Sequence, residues 1–320
     1  MRSPLSNPFL VGKARPIVVG HRGVPTLHQE NTLAGFKRAV QLGIPAIELD
    51  VQLTKDRKAV VLHDGHLRRL TGDRRNVWEV TWDELSKLRL RRELPMGVDV
   101  NGQRTIARYD REERIPLLAE VLSEVHGKIA INIELKLNLG MAVWWNTEVA
   151  RVTAQVVTEA KADSFVIMTS FDPRKLRAAV AAHPGIATGF CFDDSMLDFA
   201  APFLERIPHL RTRLSLPADG HIRTNARRLL NKILESNLLG RLLGTRLVGA
   251  EHTIVGSQTV KRLHDKGIAI GTHTLFPLGS TTGKPISPSA MTAAEVDRLV
   301  ALGVDWIESD DPERLQRMIG

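Results

Sequence analysis

Short β-branched runs alternate with helix-patterned stretches along almost the whole chain, and this alternation limits the fold more than any other feature. The runs fall at residues 17–20, 46–51, 59–62, 128–135, 165–170, 186–192, 246–251, 268–272 and 306–308. Such an order is expected of a parallel α/β sheet or barrel. Nine runs compete for the eight positions of a (β/α)8 TIM barrel. The surplus lies between Glu48 and Asp64, where two runs are joined by the tight polar link 54–58, too short for a crossover helix. One of that pair is expected to be a hairpin arm. Helical patterns at 32–42, 146–159, 174–182, 258–266 and 293–302 fill the gaps, the first behind Asn31 as N-cap and ahead of Gly43 as stop. With 320 residues, one barrel with insertions accounts for the chain, so 1–320 is read as a single domain.

Two stretches break the rhythm and are read as insertions at the catalytic face. Residues 68–116 are long, polar and basic, with a short helix expected at 82–88. Residues 205–246 hold nine Lys and Arg against three acids and set Ala226, Leu229, Leu230, Ile233, Leu234 and Leu238 on one helical stripe. That stripe suits either packing on the barrel or contact with an anionic lipid surface through Arg223, Arg227, Arg228 and Lys232.

Composition excludes several classes. The single cysteine, Cys191, rules out an internal disulfide and a cysteine-based zinc site. A net charge of +8 favours anionic ligands, but with one Tyr and no basic stripe interleaved with aromatics, nucleic acid is not an expected partner. Residues 1–13 lack the apolar core of a secretory signal, from which a cytoplasmic location is expected. The oligomeric state leaves no mark in the sequence.

Barrel active sites form where strands end, and polar residues collect there. Glu48 and Asp50 are two apart and point the same way in a strand; Glu134, near the end of another run, can join them. Three carboxylates in one pocket repel unless a divalent cation neutralises them, and all-oxygen ligation favours Mg2+ or Ca2+. The plainer alternative is a set of ion pairs with Arg22, Lys136 and Arg68. His21 and His63 each follow an apolar run at the same face, where a pair of imidazoles suits acid–base cleavage of a phosphodiester, with Arg22 and Lys136 on the phosphoryl oxygens.

The series His21-Arg22-Gly23, Glu30-Asn31-Thr32, Glu48-Leu49-Asp50-Val51, Thr54-Lys55-Asp56 and Val61-Leu62-His63-Asp64 resembles the N-terminal signature of glycerophosphodiester phosphodiesterases. Asn132-Ile133-Glu134-Leu135-Lys136 is similar to the family's next motif, and Ser309-Asp310-Asp311-Pro312 to its closing one. The clear resemblance covers about residues 16–66, 128–136, 165–172 and 300–315. It implies that His21 and His63 are the acid–base pair, that Glu48, Asp50 and Glu134 hold Mg2+ or Ca2+, and that Arg22 and Lys136 contact phosphate. The implied substrate is a small-molecule glycerophosphodiester, split into glycerol phosphate and an alcohol, which belongs to glycerol and lipid metabolism. A lysophospholipase D-like action on lipid diesters and a non-catalytic phosphate-binding barrel are the alternatives. One departure stands out: where the family carries an aromatic-polar run with Trp and Asn, this chain has Thr272-His273-Thr274-Leu275-Phe276. His273 is thus read as a substrate contact or a rim residue, and Phe171 as pocket lining or packing.

Overall fold

The structure, a computed structural model, describes residues 7–10, 14–136, 143–196 and 222–320. Eleven strands are seen among them: β1 (Ile17–Gly20), β2 (Ala46–Leu53), β3 (Ala59–Val61), β4 (Glu93–Val98), β5 (Arg104–Arg108), β6 (Ala130–Leu135), β7 (Val166–Ser170), β8 (Ala187–Phe192), β9 (Leu247–Glu251), β10 (Ala269–Leu275) and β11 (Trp306–Ser309). Eight of them form a closed parallel ring in the order β1-β11-β10-β9-β8-β7-β6-β2, sealed by pairing of Val19 and Gly20 with Ala46 and Ile47. This is a (β/α)8 barrel. The surplus strand is β3, which folds back antiparallel on the end of β2, Val51 opposite Val61.

The helices are α1 (Leu33–Gln41), α2 (Trp82–Ser86), α3 (Leu118–Val125), α4 (Val143–Glu159), α5 (Pro173–Ala182), α6 (Ile222–Ser236), α7 (Leu238–Leu243), α8 (Ser257–His264), α9 (Ala293–Leu302) and α10 (Pro312–Ile319). Side-chain caps start several of them: Asp172 and Asp311 each accept a first-turn amide, with Pro173 and Pro312 just inside the helix. The cap of α1 is Thr32, whose Oγ1 accepts from Gly35 N at 3.2 Å. Asn31, expected in that role, is instead held at φ 60° with its amide turned toward β2. Helices α3 and α10 are absent from the sequence reading.

Two apolar layers follow from the alternation of strand residues. Outward side chains such as Ile47, Leu49 and Ile133 meet the helices in the main core. Inward ones, among them Val19, Ala46, Ala130, Leu247 and Trp306, fill the barrel from below, and Phe9 packs edge-on to Trp306 at 5.6 Å between ring centroids. Gly271 makes room for that indole, since a Cβ there would lie 1.7 Å from Trp306 Cε2.

Within 68–116 the expected short helix appears as α2, joined by an unpredicted hairpin of β4 and β5. Leu62, Leu67, Leu70, Val77, Leu85 and Leu94 give this stretch a core of its own. The hairpin reaches the loop after β10 by a bridge between Val98 and Ser280. Of the 205–246 segment, residues 205–221 and the side chains of Arg223, Ala226, Arg227 and Arg228 lie outside the described residues. The described part of its stripe packs as a barrel helix: Leu230 and Leu234 are buried in the main core, with Leu229 and Ile233 against it. Leu238 and Leu242, four residues apart on α7, are exposed.

Candidate active site

Strand alternation aims Glu48 and Asp50 of β2 and Glu134 of β6 inward at one level, Asp50 opposite Glu134 in the ladder. One oxygen from each of these three carboxylates lies within 4.8 Å of the others. Glu48 and Asp50 are each 1% exposed. Lys136 Nζ stands 2.8 Å from Glu134 Oε1 and 3.3 Å from Asp50 Oδ1, and Arg22 Nε lies 3.3 Å from Asp50 Oδ2. Arg68 takes no part. It points to solvent, and its neighbour Arg69 turns inward instead, because the turn after β3 carries no regular period from which its direction could be read.

Arg22 itself sits at φ 54°, and its backbone amide donates to Glu48 Oε2 at 2.9 Å. That strained residue follows His21, whose ring is fixed from the other end of the chain: Nδ1 donates to Asp310 Oδ1 at 2.6 Å, leaving Nε2 3.9 Å from Glu48 Oε2. His63 is fixed in parallel fashion, Nδ1 donating to Asp64 Oδ1 at 2.7 Å. Asp64 accepts two bonds from Arg69, at 2.6 and 2.9 Å, and Arg69 grips Glu30 at 2.9 and 2.7 Å. Glu30 in turn accepts from Arg22 at 3.1 Å, so a chain of alternating charge links the two histidine neighbourhoods.

Electrostatics follow from burial and these neighbours. Burial, with Asp50, Glu308 and Glu134 close by, pushes the Glu48 carboxyl well up. Burial would do the same to Asp50, but Lys136, His63 and Arg22 overcome it and hold Asp50 far below the carboxylate range. Burial, aided by Arg22 and Lys136, lowers His63; burial brings His273 down to about 4. A further carboxyl, Glu308 of β11, is 6% exposed and raised by burial to about 7.

These groups open on a cavity of about 1060 Å3 at the C-terminal ends of the strands. His21, Arg22, His63, Glu134 and Lys136 line it, as do Phe171 and His273, whose rings meet edge-on at 6.0 Å. All nine residues singled out from the sequence therefore gather at one mouth, Glu48 and Asp50 just beneath the surface.

Sequence reasoning missed the groups that hold those nine. Asp64 and Asp310 stood inside quoted motifs without a role, and Glu30, Asn31 and Arg69 were not assigned to the site. Glu308 was passed over as a strand residue, although a carboxylate in an apolar terminal run carries the same signal that marked Glu48.

A divalent cation fits the cluster: among the described residues Glu48 Oε1 is buried with no hydrogen-bond donor, and the permanent cations against the three carboxylates are Arg22 and Lys136, with the His21 ring 3.9 Å from Glu48 Oε2. An all-carboxylate donor set suits Mg2+ or Ca2+.

The sequence model of the Glycerophosphoryl diester phosphodiesterase family matches residues 21–314. A glycerophosphodiester phosphodiesterase of Caldanaerobacter subterraneus subsp. tengcongensis is 33% identical over 185 residues, 58% of this chain and 70% of that one. Human lysophospholipase D GDPD1 is 38% identical over 121 residues, 38% of this chain, and the match spans only 36% of the human protein. Among solved structures, an Oleispira antarctica phosphodiesterase in complex with the product sn-glycerol-3-phosphate superposes with a TM-score of 0.64 at 21% identity, covering 95% of this chain and 97% of that one. A glycerophosphodiester phosphodiesterase from Parabacteroides distasonis gives 0.65 at 19% identity, covering 96% and 98%. At such identities the superpositions speak for the fold alone.

Proposed function

The chain belongs to the glycerophosphoryl diester phosphodiesterase family and is by that membership a phosphoric diester hydrolase; we propose that it splits a soluble glycerophosphodiester into glycerol phosphate and an alcohol, using His21 and His63 as the acid–base pair. Glu48, Asp50 and Glu134 would hold Mg2+ or Ca2+, which when bound supplies positive charge to the phosphoryl oxygens. The observation that carries this reading is the clustered carboxylate trio with its unpartnered Glu48 oxygen, sharing one mouth with two histidines that are each anchored at Nδ1.

Anchoring at Nδ1 leaves Nε2 of each ring as the proton-handling atom. One imidazole accepts the proton of the attacking oxygen; the other, protonated, delivers one to the departing alkoxide as the phosphorus–oxygen bond breaks. Arg22 and Lys136 balance the charge that builds on the phosphoryl group. Phe171 and His273 form an apolar and a polar wall for the organic part of the diester.

A second reading moves the same chemistry to lysophospholipids. Exposed Leu238 and Leu242 on α7 favour it by offering an apolar pair beside a basic helix, fit to rest on an anionic lipid surface. No helix among the described residues is long and apolar enough to cross a membrane, and we place the enzyme in the cytoplasm as part of this proposal.

Release of glycerol phosphate from a panel of diesters, with and without acyl chains, separates the two readings. Hydrolysis should need an added divalent cation, stop with a chelator, and vanish in His21→Ala and His63→Ala. If no diester is cleaved with Mg2+, Ca2+ or Mn2+ present, both readings fall.

A further inference from the structure

Glu308 lies two residues beyond Trp306 on β11 and so shares its inward face, at the floor of the cavity. Its Oε1 accepts two bonds, from Asn132 Nδ2 at 2.9 Å and from Trp306 Nε1 at 3.3 Å. Asn132 is oriented in turn by Thr169, whose hydroxyl donates to Asn132 Oδ1 at 2.8 Å. Three strands, β7, β6 and β11, thus contribute to fixing one carboxyl that is 6% exposed. Both donors fall on the same oxygen. Among the described residues no donor reaches Oε2, and Glu308 lines the cavity while standing outside the trio of carboxylates that converge within 4.8 Å.

We propose that Glu308 Oε2 is the acceptor for a hydroxyl of the polyol esterified to the phosphate, which makes Glu308 a specificity-determining residue for hydroxyl-bearing diesters. This rests on the reading of the cavity as a glycerophosphodiester site. A carboxylate held this rigidly beneath a phosphate site has three kinds of partner to consider. A metal ion is better served by the neighbouring trio, which presents three oxygens where Glu308 presents one. An ammonium group pairs well only with an ionised carboxylate, whereas a hydroxyl both donates and accepts and so pairs with either protonation state. Burial, with Glu134 nearby, brings the Glu308 carboxyl up to about 7, where both states are populated near neutral pH. A hydroxyl is thus a partner that suits either protonation state of this carboxyl. A ligand that seals Oε2 from water without offering that hydroxyl leaves the acceptor without a donor, and such a loss is a strong lever on selectivity.

The test compares two monoesters that differ only in their hydroxyls, sn-glycerol 3-phosphate and n-propyl phosphate, whose binding is measured by calorimetry with Mg2+ or Ca2+ present. Wild type should prefer glycerol 3-phosphate by about tenfold or more. In Glu308→Ala, shown folded by its circular dichroism, the preference should collapse to about onefold while propyl phosphate binds as it does to wild type. A merely structural role would weaken both ligands together. Preference retained in the variant, or absent in wild type, overturns the proposal. Should the variant not fold, a crystal structure of wild type with glycerol 3-phosphate decides: Glu308 Oε2 within hydrogen-bond reach of a hydroxyl supports it, and hydroxyls all beyond about 4 Å overturn it. The broader reading is judged by hydrolysis of a diester by wild type, so the two can fail separately.

Discussion

Asn31 clamps Asp50 twice, its Nδ2 donating to Asp50 Oδ2 at 2.7 Å and its Oδ1 accepting from Asp50 N at 3.1 Å. The amide thus fixes both the backbone and the carboxylate of a candidate cation ligand, from a residue at φ 60° that Asn tolerates better than most. Groups that orient ligands in this way are worth roughly 10–100-fold in metal affinity. Asn31→Ala should lower the affinity for the cation by about that factor, read from activity or calorimetric titration with Mg2+ or Ca2+. An unchanged titration curve would remove Asn31 from the site.

Asp310 holds His21 by Nδ1 and also accepts from Leu278 N at Oδ2, 2.8 Å away. Asp310→Asn keeps the shape but offers an amide in place of a carboxylate, which favours the wrong imidazole tautomer. We expect kcat to fall by about 100-fold or more with KM little changed and the basic or acidic limb of the pH–rate profile displaced. Wild-type kcat in a folded Asp310→Asn protein would show that the contact is structural.

Glu30 links stability to pH. Burial opposes its ionisation, but Arg69 and Arg22 overcome that and bring it down to about 2, whereas in the unfolded chain it titrates near ~4.3. Because the folded value is the lower one, its contribution is complete above the unfolded value and is lost as pH falls from about 5 toward 2. Urea unfolding should record this as declining stability over that window. Arg69→Met, which leaves Glu30 to Arg22 alone and Asp64 to His63 alone, should cost about 3 kcal/mol at neutral pH and flatten the acid slope. Identical slopes in the two proteins would contradict it.

Gly271 and Trp306 face each other inside the barrel. A methyl group at 271 would meet the indole at 1.7 Å, and the indole is itself pinned by Phe9 and Glu308. Gly271→Ala is expected to destabilise by about 1–3 kcal/mol in urea unfolding. A neutral result would mean that the floor of the barrel is loosely filled.

Much of this architecture is written locally. Barrel strands betray themselves because parallel strands buried on both faces read as apolar runs, as in Val166, Ile167 and Met168 of the wholly buried β7. His21, Glu48, Asp50 and His63 stand at or near the ends of such runs, where chemistry in this fold collects. What stayed hidden depends on distant partners. The hairpin of β4 and β5 interrupts its pattern with Pro95 and Gly97, and Gly97 is demanded by Ser280, whose carbonyl would lie 2.0 Å from any Cβ there. Asn31 has the composition of a cap and the geometry of a ligand clamp. Whether Arg68 or Arg69 turns inward is a question of phase in an irregular turn, and the sequence has no period there to answer it. Leu230 and Leu234 show the reverse case, in which a stripe compatible with a lipid surface seats itself against the barrel.

His21 and Asp310 lie on opposite flanks of the seam where β1 meets β11, and their bond spans 289 positions of the sequence. Assembly of the catalytic apparatus is thereby coupled to closure of the ring. Were β11 to peel from β1 while every other strand kept its place, His21 would lose its anchor and the cavity its floor acid together. Loss of turnover should therefore precede loss of secondary structure on heating, and activity becomes a gauge of whether the circle is shut.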